Sequence, residues 1–162
     1  MRGDIAMRMT SIETLLPHSG RMRLIDHVVS FDDQSIVCET SSHRAPDHPL
    51  AETGVLSIIL GLEYGAQAMA MHGALLADSG SPGARRRHGF LVAASDLQWS
   101  VPRLDQCEAP LLIKAVSEFR SDNQVSYRFE ISSSGTAVFG GRASVLLGVP
   151  IPSADGSVTD PA

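Results

Sequence analysis

Residues 55–77 of the chain read VLSIILGLEYGAQAMAMHGALLA, and this stretch decides the fold. Between Glu52 and Asp78 only one formally charged side chain interrupts it, that of Glu63. Glycine and alanine recur around much of the predicted helix. They remove bulk from its surface, which suits a helix that a curved sheet wraps closely. We therefore predict a long, buried central helix.

A membrane span is the alternative interpretation of the same stretch. Its length approaches the roughly 20 residues that a transmembrane helix needs. Glu63, Gln67 and His72 would then lie at bilayer depth, where each polar side chain costs free energy. A buried helix is the better interpretation, and we expect no membrane span.

The segments on both sides of this helix alternate apolar and polar residues with the period of a β-strand. Six strands are predicted in this way: 24–29 and 36–40 before the helix, and 90–99, 111–119, 124–132 and 137–147 after it. The first two strands flank Asp32-Asp33-Gln34 and read as a hairpin. Thr10 and Glu13 have the spacing of a capping box, which predicts a short helix before Pro17. Runs of strands around one helix predict an α+β fold.

Composition limits the chain to one domain and restricts its partners. With 162 residues, 43% of them hydrophobic, there is enough for one core but not for two domains. We assign residues 1–148 to a single domain, and expect 149–162, rich in Pro, Ser, Gly and Asp, to be disordered. A net charge of −5 argues against nucleic acid and anionic lipid as partners.

The cysteines and the first residues bear on the compartment. Cys38 and Cys107 lie far apart, in neither a metal-binding nor a CxxC spacing, which is typical of a reducing compartment. Residues 1–10 contain no apolar stretch of the kind that directs export. We expect a cytoplasmic protein with two structural cysteines and no metal site.

Glu63 is the first candidate for chemistry. A carboxyl group in the middle of a buried helix costs free energy unless it is protonated or finds partners, so Glu63 is a candidate acid. Gln67 lies four residues later on the same helical face, where its amide can hold the carboxyl group. An ion pair between Glu63 and a strand arginine, such as Arg103 or Arg142, is the structural alternative and stays open here.

Three segments resemble one family of enzymes. The segments LLPHSGRMRLIDHVV (15–29), SHRAPDHPL (42–50) and GLEYGAQAMAMHGALL (61–76) resemble the 3-hydroxyacyl-acyl carrier protein (ACP) dehydratases, most closely the aryl-polyene-type subfamily. The likeness covers residues 15–147. It implies a hotdog fold, in which a curved antiparallel sheet of about five to six strands wraps one long helix. It also implies a dimer, with a second copy or with a paralogous dehydratase.

The resemblance further implies the site residues. The family's glutamate and glutamine fall on Glu63 and Gln67. Its histidine falls on Pro49, one place after His48, so a one-residue shift assigns it to His48, with His43 as the alternative base. In those enzymes the histidine and the glutamate meet across the dimer interface. No cofactor is implied, because the substrate arrives on the phosphopantetheine arm of ACP.

On this resemblance the reaction converts 3-hydroxyacyl-ACP to trans-2-enoyl-ACP, as in fatty-acid or polyene biosynthesis. A neutral imidazole takes the C2 proton and a buried carboxyl group protonates the departing hydroxyl. At the start of the helix, Ser57 and Ile58 are the expected substrate-binding residues, with the Ile58 N–H polarising the thioester carbonyl. A hotdog acyl thioesterase and a non-catalytic partner subunit of an active dehydratase remain the alternatives.

A basic cluster follows the helix. Arg85, Arg86 and Arg87 form either a solvated loop or a docking surface for the acidic ACP and its phosphopantetheine phosphate, since arginine suits phosphate geometry. We include the three arginines among the expected substrate-binding residues.

Overall fold

Six antiparallel strands form the main sheet of the computed structural model, which describes residues 20–81, 87–148, 151–152 and 158–159. In chain order the strands are β1 (His27–Phe31), β2 (Ser35–Thr40), β3 (Gly89–Trp99), β4 (Leu111–Arg120), β5 (Gln124–Ser133) and β6 (Thr136–Leu147). Their order across the sheet is β1-β2-β4-β5-β6-β3. All six predicted strands are present, although the first begins at His27 rather than at residue 24 and ends at Phe31, and the α+β fold is confirmed.

The β1–β2 hairpin turns where the sequence predicts it. The Asp32 side chain closes the turn, because its Oδ1 accepts hydrogen bonds from the backbone N–H groups of Gln34 (2.9 Å) and Ser35 (2.7 Å). An aspartate that bonds the backbone two and three residues later is a common way to stabilise a tight turn.

One helix, α1 (Gly61–Asp78), packs against β2, β4, β5 and β6. The alternation predicted for β5 is observed, since its inward side chains are buried: Val125, Tyr127, Phe129 and Ile131. Strand β5 therefore has one buried face, and α1 covers it.

Two glycines let α1 approach the sheet closely. A Cβ added at Gly61 would lie 2.9 Å from Phe139 Cε1 and 3.1 Å from Ile131 Cδ1, and one at Gly65 would lie 3.1 Å from Phe129 Cδ2. The small residues of the helix therefore serve the close packing that the sequence predicts.

Helix α1 begins later than the apolar run does. The residues before it make hydrogen bonds to the segment that follows β3: Leu56 N–H donates to Asp105 Oδ1 (2.8 Å), and Leu104 N–H donates to Leu56 C=O (2.8 Å). A single 3₁₀ turn, Ile58–Leu60, then leads into the α-helix. These tertiary bonds outweigh the helical tendency of residues 55–57, so that part of the predicted helix is wrong.

The two ends of the chain are described only in part. The helix predicted after Thr10 lies outside the described residues. In the tail, β7 (Ile151–Pro152) and β8 (Val158–Thr159) form a short antiparallel pair. Disorder in the remaining tail residues stays a prediction.

Candidate active site

Glu63 and Gln67 are in contact on α1. Gln67 is buried, and its Nε2 donates to Glu63 Oε1 (3.1 Å) and to Met22 C=O (2.8 Å). Its Oε1 accepts from Leu24 N–H (2.8 Å). The amide is therefore held on both sides by backbone and presents its remaining donor to the carboxyl group. The contact expected from the spacing is present, while the catalytic role of both residues stays a prediction.

The two arginines considered as partners for Glu63 are bonded to other carboxylates. Arg103 forms an ion pair with Asp105. Arg142 contacts Asp96 (3.3 Å) and Glu118 (3.0 Å) on the outer face of the sheet.

His48 lies against the residue that follows Glu63. Its Nε2 is 3.0 Å from the Tyr64 hydroxyl oxygen, and its Nδ1 accepts a hydrogen bond from Leu50 N–H (3.1 Å). Because an N–H group can only donate, Nδ1 carries the lone pair and Nε2 carries the proton of the neutral ring. Burial lowers the pKa of His48 below its usual value, and nearby His43 lowers it further. The lowered pKa favours the neutral form of the ring.

His43 occupies a different environment. It lies in the 3₁₀ turn Ser42–Arg44, and its Nε2–H donates to Cys107 C=O (2.9 Å). Its Nδ1 is buried, and no hydrogen-bond partner for it exists among the residues described. Burial lowers the pKa of this ring too. His43 thus keeps an unused lone pair, whereas His48 is the histidine that bonds to α1.

Sequence reasoning missed Tyr64 and Ser42. Tyr64 is fully buried, and its hydroxyl lies between His48 Nε2 and Ser42 Oγ, 2.9 Å from the latter. The chain has only two tyrosines, and a buried tyrosine hydroxyl nearly always finds a polar partner. A tyrosine directly after Glu63 was the available signal, and Glu63 itself is only partly buried.

The second tyrosine also pairs with a histidine. Tyr127 Oη is 2.9 Å from His72 Nδ1, and His72 Nε2–H donates to Asp32 C=O (2.8 Å) in the β1–β2 turn. His72 is completely buried, as expected for a core histidine. This pair joins the C-terminal half of α1 to the β1–β2 hairpin.

The expected substrate-binding residues at the helix start are held by the chain itself. Ile58 N–H donates to Pro102 C=O (3.0 Å), and Ser57 forms an isolated β-bridge with Arg103. The Ile58 amide is therefore not free for a thioester carbonyl in this structure. The Ile58 amide is occupied for the same reason that α1 begins only at Gly61: the residues before the helix form hydrogen bonds to the segment that follows β3.

Only one arginine of the basic cluster is described. Arg87 is exposed, and its guanidinium donates to Asp122 C=O in the β4–β5 turn. Arg85 and Arg86 lie outside the described residues.

The described residues offer neither a metal site nor a membrane-spanning helix. No three His, Cys, Asp or Glu side chains in the described ranges lie together as metal ligands. Cys38 and Cys107 are buried free thiols, and burial raises the pKa of Cys38 to about 12. Among the helices that the structure describes, none has the length and apolarity to cross a membrane.

Comparison with known families decides the classification. The profile of the ApeP dehydratase family matches residues 10–149. The chain belongs to the ApeP dehydratase family. The resemblance to aryl-polyene-type dehydratases is therefore confirmed. No curated protein matches the chain significantly in sequence.

Solved structures confirm the hotdog fold that this family membership implies. The dehydratase heterocomplex ApeI:P from Xenorhabdus doucetiae matches with a TM-score of 0.73 and 22% identity, covering 90% of this chain and 93% of that one. AziG from S. sahachiroi matches with a TM-score of 0.54 and 19% identity, covering 82% and 97%. A hypothetical thioesterase with coenzyme A from Streptococcus pneumoniae matches with a TM-score of 0.54 and 14% identity, covering 75% and 84%.

Proposed function

We propose that this member of the ApeP dehydratase family converts 3-hydroxyacyl-ACP to trans-2-enoyl-ACP. The observation that carries the proposal is that both expected groups are held in place: Gln67 holds the Glu63 carboxyl group, and Tyr64 on the same helix contacts the His48 ring. Elimination of water from a 3-hydroxyacyl thioester needs a base for the C2 proton and an acid for the C3 hydroxyl.

In this mechanism His48 is the base and Glu63 the acid, and the two come from opposite chains of the proposed dimer, as the family resemblance implies. The C2 proton goes to His48 Nδ1, the atom that carries the lone pair, after the substrate displaces Leu50 N–H. The electrons of the C2–H bond form the C2–C3 double bond as the C3–O bond breaks. The departing oxygen takes the Glu63 proton and leaves as water. His43 remains the alternative base because its Nδ1 is unpaired among the described residues.

The thioester carbonyl is expected at the start of α1, near Ser57 and Ile58. There the helix dipole favours the developing negative charge. The Ile58 amide takes part only if the substrate carbonyl replaces Pro102 C=O as its acceptor.

We also propose that the chain acts as a dimer, with a second copy or with a paralogous dehydratase. Strand β3 supports this, because it is an edge strand that pairs only with β6 and carries exposed apolar side chains, among them Val92 (52%) and Trp99 (62%). Long exposed apolar edges normally pair with another chain. A species of twice 17.3 kDa in sedimentation would support the second copy, and a 17.3 kDa monomer at micromolar concentration would contradict it.

The remaining proposals concern the acyl carrier and the compartment. ACP is the proposed carrier of the substrate on its phosphopantetheine arm, with Arg85, Arg86 and Arg87 as its docking surface. The proposed location is the cytoplasm, where acyl chains on ACP are made and used.

Incubation with a 3-hydroxyacyl-ACP, followed by intact mass measurement, tests the proposed reaction. Loss of one water from the acyl chain, absent with Glu63→Gln, supports dehydration. Release of free acid instead identifies a thioesterase. An unchanged acyl chain that loses water only after a paralogous dehydratase is added identifies a partner subunit. Either of these last two results overturns the proposal.

A further inference from the structure

A path of hydrogen bonds leads away from His48 into the core. His48 Nε2–H donates to Tyr64 Oη (3.0 Å), and the Tyr64 hydroxyl donates to Ser42 Oγ (2.9 Å). The Ser42 hydroxyl then donates to Leu24 C=O (2.7 Å). Tyr64 and Leu24 are almost completely buried, and Ser42 between them is partly buried.

The same residue, Leu24, begins a second path that ends at Glu63. Leu24 N–H donates to Gln67 Oε1 (2.8 Å), and Gln67 Nε2 donates to Glu63 Oε1 (3.1 Å). The backbone of Leu24 thus joins the proposed base and the proposed acid within one chain.

The direction of each bond on the His48 side is fixed by the groups at its ends. Leu50 N–H only donates, which sets the proton of His48 on Nε2 and leaves Ser42 Oγ as the acceptor for the Tyr64 proton. Tyr64 between them therefore accepts from His48 and donates to Ser42. Thr40 Oγ1 reinforces the end of the path, because it also donates to Leu24 C=O (2.5 Å).

We propose that Tyr64 is a positioning residue, whose hydroxyl holds the His48 ring with its proton on Nε2 and thereby keeps the basic lone pair on Nδ1. This proposal rests on the proposed function of His48 as the base. Without the hydroxyl, Nε2–H would be a buried donor without an acceptor, which costs more than the bond itself contributes. The ring would then turn to find another partner, and Nδ1 would lose its alignment.

The test combines nuclear magnetic resonance with kinetics on the full chain. In the wild type the His48 Nε2–H signal should exchange slowly with solvent, and in Tyr64→Phe it should exchange at least about tenfold faster, since one lost hydrogen bond is worth about this factor. The same variant should lose about tenfold in kcat, with KM little changed, because orientation rather than binding is lost. Ser42→Ala, which keeps the tyrosine hydroxyl, should show a smaller change in both.

Tyr127→Phe is the matched control. It removes an equally buried tyrosine hydroxyl that bonds to His72, on the same helix but outside the proposed site. It should change the ring N–H signal of His72 and leave the His48 signal and kcat unaltered.

The results separate this proposal from the proposed function. Unchanged exchange of His48 Nε2–H in Tyr64→Phe overturns the positioning role, and so does altered exchange with unchanged kcat. An equal loss of kcat in Tyr127→Phe also overturns it, because the loss would then reflect general destabilisation. If the wild-type protein is inactive on all 3-hydroxyacyl substrates, the proposed function is overturned, and so is the catalytic role of Tyr64. The exchange rate of His48 Nε2–H still reports in that case whether the hydrogen bond between His48 and Tyr64 exists.

Discussion

Gly61 and Phe139 lie so close together that the Phe139 ring occupies the space beside the Gly61 Cα, where any other residue would place its Cβ. Gly61 is the first residue of α1, and Phe139 is buried on β6, where it also packs edge-on against Phe129. The contact sets how near the start of the helix, with Glu63 two residues further, approaches the sheet.

The first prediction compares two glycines of this helix. Gly61→Ala should lower the free energy of unfolding by about 1–3 kcal/mol, because the added methyl group overpacks the core. Gly73→Ala should raise it by up to about 1 kcal/mol, because nothing lies within 4 Å of a Cβ there and alanine is the better helix former. Urea unfolding of both variants measures the difference. Equal effects would show that the close approach at Gly61 does not matter.

The second prediction concerns acid stability. Burial lowers the pKa of His72 below its ordinary value of roughly 6.5, so the folded state binds its proton less readily than the unfolded state does. The stability associated with His72 is therefore complete above about pH 6.5 and is lost as the pH falls towards the lowered pKa. Asp32, Asp33 and Arg120 are the charged groups that act on this ring.

His72→Gln should flatten this dependence. The glutamine amide can still donate to Asp32 C=O and accept from Tyr127, but it does not titrate. Free energies of unfolding at pH 7.5 and pH 5.5 should differ less in the variant than in the wild type. Some slope should remain, because burial also lowers the pKa values of His43 and His48. An identical slope in both proteins would exclude His72 as a contributor.

The third prediction is that Glu63→Gln folds normally and loses at least about 10²-fold in kcat, since general acids contribute roughly this much or more. The amide is nearly isosteric and still accepts from Gln67 Nε2. Glu39→Gln is the control, because Glu39 is a partly exposed carboxylate beside His27 on the sheet and should leave turnover unchanged. Turnover above about a tenth of the wild-type rate in Glu63→Gln contradicts the acid role.

The fourth prediction assigns the base. His48→Ala should reduce kcat by about 10²-fold or more, as expected for loss of a general base, while His43→Ala should mainly affect stability, through the lost bond to Cys107 C=O. Turnover and thermal unfolding are measured on both variants. If His43→Ala abolishes turnover and His48→Ala does not, the assignment is reversed.

The fifth prediction concerns ACP docking. Replacing Arg85, Arg86 and Arg87 together by alanine should raise KM for ACP-bound substrate and leave turnover of a short pantetheine analogue nearly unchanged. The KM effect should shrink as salt rises, because screening already weakens electrostatic docking. If the ACP substrate and the analogue respond alike, the cluster is an ordinary solvated loop.

Local patterns in the sequence predict the elements of this fold better than their arrangement. Strand β5 is predictable because each residue of one face is apolar and buried. The start of α1 is not, because bonds from Leu56 to Leu104 and Asp105 decide it, and these partners are remote in sequence.

In the candidate site, too, some contacts can be predicted from the sequence and others cannot. Glu63 and Gln67 are predictable, since helical spacing alone brings residues four apart together. The bond between His48 and Tyr64 is not predictable, because His48 lies in an irregular segment whose path no periodicity describes. The contribution of Leu24 has no sequence signature at all, since its backbone rather than its side chain makes the bonds.

The position of β3 at the far edge of the sheet has a consequence for synthesis on the ribosome. Strand β3 pairs only with β6, from Trp99 with Phe139 to Gly89 with Leu147, and β6 is made after both β4 and β5. The nascent chain therefore presents an apolar strand without a partner while the rest of the sheet is still being translated. Such distant pairings fold slowly and expose the chain to aggregation. During this interval β3 is a segment that chaperones specific for extended apolar chains would bind.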